Sequence, residues 1–128
     1  MVKLTGYPRR DGRKGIRNQL LVAYTVECAH HVAREIAWPF RRNGVHVIGF
    51  GGCAPNEYAT LMMKRLCTHP NVGGVLLVSL GCENMDNAGI AHSVAESGRP
   101  VQILTIQKCG GTRKSVDQGR GWVKETLQ

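Results

Sequence analysis

Four of the five cysteines lie two or three residues beyond the ends of apolar segments that are typical of buried β-strands. Cys28 follows LLVAYTV, Cys53 follows VHVIGF, Cys82 follows VLLVSL and Cys109 follows VQILTI. In an open α/β sheet, ligands bind at the carboxyl ends of the strands. Thiols from separate loops at that edge suit an iron–sulfur cluster or a single soft transition metal. The alternative is that these cysteines are small buried side chains that pack the strand ends.

Other residues with useful chemistry lie next to these segments. Glu83 directly follows Cys82, where a carboxylate serves either as a general base or metal ligand, or as a first-turn acid favoured by a helix dipole. Arg13, Arg17 and Asn18 precede the first apolar segment, and arginine forks bind carboxylates, although a solvated basic arm is the ordinary alternative. The backbone amides of two glycine-rich turns, residues 49–52 and 110–112, are suited to a phosphate or carboxylate, although tight-turn geometry alone also explains such glycines.

The elements that must position these residues alternate between strands and helices. The sequence predicts strands at residues 19–26, 45–50, 75–80 and 101–106, and helices at 30–41, 56–67, 84 or 86 to 98, and from 112 onward. This alternation predicts an α/β fold: a doubly wound, mainly parallel sheet of about four strands with helices on both faces. We expect residues 1–18 to form a basic N-terminal arm and residues 19–128 a single α/β domain. We assign Cys67, inside a predicted helix, to the core.

Composition narrows the class of protein further. The net charge of +8 invites a nucleic-acid interpretation, but the seven aromatic residues are not interleaved with the basic ones, so we expect no nucleic-acid partner. A basic surface equally suits a small anionic substrate or an acidic partner chain. The sequence shows no signal peptide and no apolar run long enough to span a bilayer, so we expect a cytoplasmic protein with no membrane partner. Five cysteines, an odd number, argue against a fully paired disulfide framework.

Several longer strings resemble the altronate/galactarate dehydratase family, the sugar-acid hydro-lyases that are related to sulfolactate sulfo-lyase. They occur in the family's order and cover nearly the whole chain. The most specific are HPNVGGVLLVSLGCEN and the DGRKGIRN entry to the first strand. The others are GYPRR before that entry, TVECAHHVA, GGCA and TIQKCGGTRKSV.

The resemblance implies a domain or subunit of a metal-dependent dehydratase that removes water from an aldonic or aldaric acid to give a 2-keto-3-deoxy acid. It favours Cys28, Cys53 and Cys82 as ligands of iron, either in an iron–sulfur cluster or as a single divalent metal, and it leaves Cys109 doubtful. In such an enzyme, Glu83 would transfer protons to or from the substrate.

In this reading Arg13, Arg17 and Asn18 hold the carboxylate of a small anionic sugar acid. The full family enzymes carry a further domain after this unit, and often a small one before it. We therefore expect a missing domain or partner subunit, and little or no activity of the chain alone. Homo-oligomerisation stays open. The alternative function is a non-catalytic binding or assembly domain for a larger partner chain.

Overall fold

The computed structural model describes residues 6–10, 12–15, 17–50, 57–80 and 87–127. The strands are β1 (Tyr7–Pro8), β2 (Lys14–Gly15), β3 (Gln19–Tyr24), β4 (Val45–Gly49), β5 (Val72–Ser79) and β6 (Val101–Thr105). The helices are α1 (His30–Ala37), α2 (Glu57–Cys67), α3 (Asn87–Glu96) and α4 (Thr112–Leu127). No helix within these ranges is long and apolar enough to cross a membrane.

The last four strands form one parallel sheet in the order β4-β3-β5-β6. The chain runs from β3 outward to β4, and then returns past β3 to β5. This reversal between β3 and β5 is the topological switch point of a doubly wound sheet. The predicted α/β fold with a parallel four-stranded sheet is confirmed.

Helices cover both faces of this sheet because its strands are apolar on both sides. One core lies under α1 and α4, where Val22 and Leu76 meet Ile36 and Val123. The other lies under α2 and α3, where Leu21 and Leu77 belong to one buried cluster with side chains of both helices. Alternate residues of β3 and β5 thus serve opposite cores, as the period of two in a strand requires.

Most described element boundaries lie within two residues of those predicted, and two differ by three or four residues. Helix α1 ends at Ala37 and continues as a 3-10 turn, Trp38–Phe40, because Pro39 has no N–H for an α-helical hydrogen bond. Strand β5 begins at Val72, three residues earlier than expected. The two glycines at positions 73 and 74 permit this earlier start of the strand. A side chain at Gly74 would be too close to β3, because its Cβ would lie 2.7 Å from the Leu20 side chain.

Residues 6–18, predicted as a basic arm, contain a short antiparallel hairpin of β1 and β2. Most of its described residues are exposed, but Gly15 is buried. A Cβ at Gly15 would overlap the carbonyl oxygen of Pro70, so the hairpin backbone lies directly on the loop between α2 and β5. The segment is therefore packed against the amino ends of the sheet strands.

Candidate functional site

The carboxyl ends of β3 and β5 lie side by side at the switch point. The Thr25 N–H donates to the Val78 carbonyl at 3.2 Å, and the Phe50 N–H donates to the Tyr24 carbonyl at 3.1 Å. On the far side of β5, the Ile106 N–H donates to the Ser79 carbonyl at 2.8 Å. The segments that follow all four strands therefore start from one edge, here named the carboxyl rim.

Cys28 lies at this rim, in the 3-10 turn Glu27–Ala29 that joins β3 to α1. Its thiol is exposed and forms no disulfide. Cys53, Cys82 and Glu83 lie outside the described residues, so their predicted roles stay predictions. Among the residues that the structure describes, no three His, Cys, Asp or Glu side chains group in a way that would hold a metal ion.

A stack of side chains fixes the turn that carries Cys28. The rings of Tyr24 and His30 are stacked, with centroids 4.3 Å apart and planes inclined by 21°. The His30 Nδ1 lies 3.2 Å from a carboxylate oxygen of Glu27. Gly49, on β4, is required beneath the Tyr24 ring because a Cβ there would overlap it. The residues before and after Cys28 are thus tied to β4 and to each other.

The two remaining described cysteines differ from Cys28. Cys67 ends α2 and is fully buried, and this burial raises the pKa of its thiol to about 12. Its predicted place in the core is confirmed. Cys109 is half-buried in the turn after β6, where its N–H is 3.0 Å from the Thr105 carbonyl, and it lines a groove with Trp122.

Arg13, Arg17 and Asn18 lie at the opposite end of the sheet from Cys28. A guanidinium N–H of Arg13 donates to the Thr68 carbonyl at 2.9 Å. The backbone N–H of Arg17 donates to the Asn71 side chain at 3.3 Å, and the Asn18 Oδ1 accepts from Arg9 at 3.1 Å. Arg13 and the Arg17 backbone thus bind the loop before β5, and Asn18 binds Arg9, which also contacts that loop.

The separation of the two predicted sets is large. The six residues of β3 lie between them, and a strand rises roughly 3.3 Å per residue, which gives about 20 Å. A six-carbon acid cannot contact Cys28 and Asn18 in one copy of the chain at once. The structure therefore does not bring the predicted metal ligand and the predicted carboxylate-binding residues together.

Arg9 also contributes to this end of the sheet, although the sequence does not single it out. Its Nε donates to the Pro70 carbonyl at 2.7 Å, and its Nη2 donates to the Arg17 carbonyl at 3.2 Å and to Asn18. Its guanidinium also lies 5.7 Å from the centroid of the Tyr7 ring. Nothing in the basic run marks Arg9 as different from its neighbours, because its role depends on a loop sixty residues away.

The carboxyl rim has its own positive charges, after β6. Gly110 and Gly111 adopt φ values of +87° and +109°, which favour glycine, and α4 begins at the next residue. Lys108, Arg113 and Lys114 are exposed around this turn. The amino terminus of α4 adds partial positive charge. Exposed cationic side chains therefore lie at the same edge of the sheet as Cys28.

Comparison with known proteins identifies the family. The sequence-family model described as D-galactarate dehydratase/altronate hydrolase, second domain, matches residues 6–128 of this chain. Altronate dehydratase of Escherichia coli (strain K12) is 31% identical over 103 residues, 70% of this chain and 21% of that enzyme. Altronate dehydratase of Bacillus subtilis (strain 168) is 29% identical over 104 residues, 71% of this chain and 21% of that enzyme. No solved structure matches.

The chain thus spans about a fifth of the length of these two curated relatives. The family match, in contrast, begins in the hairpin and runs through α4, so it takes in the whole described fold. This chain belongs to the family of the second domain of D-galactarate dehydratase and altronate hydrolase.

Proposed function

We propose that this chain supplies the metal-dependent part of the active site of a sugar-acid dehydratase, at its carboxyl rim. The observation that carries the proposal is the exposed Cys28 thiol beside the switch point of a domain of this family. Ligands of open α/β sheets bind in that crevice. The substrate is an aldonic or aldaric acid, and the product is a 2-keto-3-deoxy acid.

In this proposal Cys28, Cys53 and Cys82 hold iron. Cys28, the described member of the set, fits the role because its thiol is accessible and not bonded to another sulfur. Cys82 lies only two residues after Leu80. The Leu80 carbonyl accepts a hydrogen bond from the Gln107 N–H at 3.2 Å. The bound iron would act as a Lewis acid toward the departing hydroxyl group.

The chain's own residues would hold the substrate and move its proton. Glu83 takes the proton from the carbon next to the carboxylate, and hydroxide leaves from the following carbon. The resulting enol tautomerises to the keto acid. Lys108 and Arg113, with the amino terminus of α4, are better placed for the carboxylate than Arg13 or Arg17, because they lie at the same rim as Cys28.

We further propose that the chain alone has little or no dehydratase activity. The curated relatives are about five times as long as the region that this chain matches. The remaining parts of the active site would come from a further domain or from a partner subunit.

Anaerobic reconstitution with ferrous iron, with and without sulfide, tests the ligand set. We expect iron uptake by the wild-type chain and its loss in the triple variant Cys28→Ser, Cys53→Ser, Cys82→Ser. Visible absorption that appears only with sulfide would assign a cluster, whereas uptake without sulfide would assign a single ion. Cys67→Ala, which changes a buried thiol outside the set, is the matched control and should bind iron like the wild type. Equal uptake by the triple variant would show that these cysteines are not the ligands.

An assay for 2-keto acid formation from altronate and galactarate tests the second part of the proposal. We expect no turnover by the iron-loaded chain alone. Turnover by the chain alone that is lost in the triple variant would show that the domain is sufficient, and would overturn the proposed need for a further domain.

A further inference from the structure

Among the residues that the structure describes, no strand pairs with the outer edge of β4. Within β4, the polar groups of successive residues point to opposite sides. The Gly44 carbonyl accepts from the Leu20 N–H at 2.9 Å and the Phe50 N–H donates to Tyr24, so the even-numbered residues face β3. Val47 and Gly49 therefore turn their N–H and C=O groups away from the sheet. An edge of this kind can pair with another extended chain.

A groove lies beside this edge on the face covered by α1. It has a volume of about 400 Å³, and its lining includes Tyr24, Arg34, Trp38 and Arg41. The guanidinium of Arg41 stacks on the indole of Trp38, 3.9 Å from the ring centroid, and that indole is 61% exposed. No described carboxylate pairs with Arg34 or Arg41. We name this the basic groove; it favours acidic side chains.

A second groove flanks the same edge on the face covered by α2. It has a volume of about 330 Å³, and its lining includes Phe50, Tyr58, Met62 and Leu66. Tyr58 is 68% exposed, and Met62 and Leu66 are each about 40% exposed. We name this the apolar groove. Large apolar side chains exposed together mark interaction surfaces.

The two grooves together hold four of the seven large apolar side chains that are exposed in the described ranges. Both open along β4, on opposite faces of the sheet. Side chains of an extended strand alternate between the two faces. A strand laid against β4 would therefore place one row of side chains in the basic groove and the other row in the apolar groove.

We propose that the β4 edge binds an extended segment of a partner polypeptide in which acidic and apolar side chains alternate. Backbone hydrogen bonds to Val47 and Gly49 would give affinity, and the two grooves would give specificity. Charge argues against a second copy of this chain as the occupant. A second β4, with the sequence VHVIG, offers no acidic residue to the basic groove, and the chain carries a net charge of +8.

An eight-residue peptide of alternating Glu and Val is a suitable probe. We expect it to bind the wild-type chain and to shift the amide resonances of Val47 and Gly49. The same peptide with alternate backbone nitrogens methylated, so that one edge cannot donate hydrogen bonds, should lose at least about tenfold in affinity. A peptide of alternating Lys and Val should not bind. No binding of the Glu/Val peptide at about 1 mM would overturn the proposal.

Two charge-reversal variants separate the groove from the overall charge of the chain. Arg34→Glu combined with Arg41→Glu should lower the affinity for the Glu/Val peptide at least about tenfold, since two charge-assisted contacts are lost. Lys14→Glu combined with Lys124→Glu makes the same change in net charge away from β4 and should bind normally. Met62→Lys, which leaves the basic groove intact, should also weaken binding. Circular dichroism shows whether each variant folds.

Three outcomes would contradict strand addition by a partner. An equal loss of peptide affinity in both charge-reversal pairs would show that the peptide binds through general electrostatic attraction. Unchanged affinity of the methylated peptide would show that backbone pairing is not involved. Dimerisation of the wild-type chain in sedimentation, abolished by Met62→Lys and by the Arg34 and Arg41 changes, would assign the edge to a second copy. None of these outcomes depends on iron, so they are independent of the proposed dehydratase site.

Discussion

The contact between α4 and α1 predicts different effects on stability for one substitution at two nearby positions of α4. Gly119 and Gly121 both lie within α4, and alanine is the better helix former by about 1 kcal/mol. Around Gly121 there is no heavy atom within 4 Å of an added Cβ. Gly121→Ala should therefore raise the free energy of unfolding by about 1 kcal/mol.

Gly119 lies directly on Ile36 of α1. An added Cβ would overlap the Ile36 Cδ1 and lie 2.8 Å from its Cγ1 and 3.2 Å from its Cγ2. Ile36 is fully buried, and branching at its Cβ restricts its rotation. Arg120 also holds the helices together, with its Nη2 donating to the Glu35 carbonyl at 2.7 Å. Overpacking of such a core costs about 1–3 kcal/mol, which cancels or exceeds the gain in helix propensity.

Urea unfolding followed by circular dichroism measures both effects. We expect Gly119→Ala to be less stable than Gly121→Ala by about 1–3 kcal/mol. Shortening the neighbour with Ile36→Val should reduce the cost of Gly119→Ala, giving a favourable coupling in the double-mutant cycle. Equal stability of the two alanine variants, or zero coupling, would refute the close packing of α4 on α1.

Other predictions concern thiols and the hairpin. Brief labelling of the folded chain with a maleimide, located by mass spectrometry, should modify Cys28 and spare Cys67, which is buried and protonated; equal labelling would contradict that burial. The pKa of Cys67 rises from 9.0 to about 12 on folding. The contribution of this thiol to the free energy of unfolding is therefore complete below pH 9, and it is lost by about 1 kcal/mol per pH unit as the pH rises toward 12. Urea unfolding at pH 8 and pH 10 should thus show a smaller decline for Cys67→Ala than for the wild type, and parallel declines would refute the shift. Gly15→Ala should lower stability by about 1–3 kcal/mol because of overlap with Pro70, whereas Gly15→Ala with unchanged stability would mean that the hairpin does not pack there.

The sequence was sufficient for the parallel sheet because its strands carry strong local signals. β5 contains no polar side chain from Val72 to Val78, and the turns between the sheet strands and the helices contain glycine or proline, except for the turn from β3 to α1. Chain direction also separates Cys28 from Asn18, although the residue types alone predict that both contact one substrate. A residue that precedes a parallel strand lies at its amino end, and one that follows lies at the carboxyl end. The docking of Gly15 on Pro70, in contrast, depends on a contact between distant segments, which no local pattern encodes.

The same contrast bears on where an anionic substrate would be held. Two of the positive charges of the hairpin contact carbonyl oxygens, since Arg9 binds Pro70 and Arg13 binds Thr68. Donors used in this way fix the loop before β5 in place. Around the carboxyl rim, Arg113 forms no ion pair with a described residue, and it lies at the amino terminus of a sixteen-residue helix. Arg9 and Arg13 therefore anchor the hairpin to the loop before β5, whereas Arg113 is exposed at the carboxyl rim.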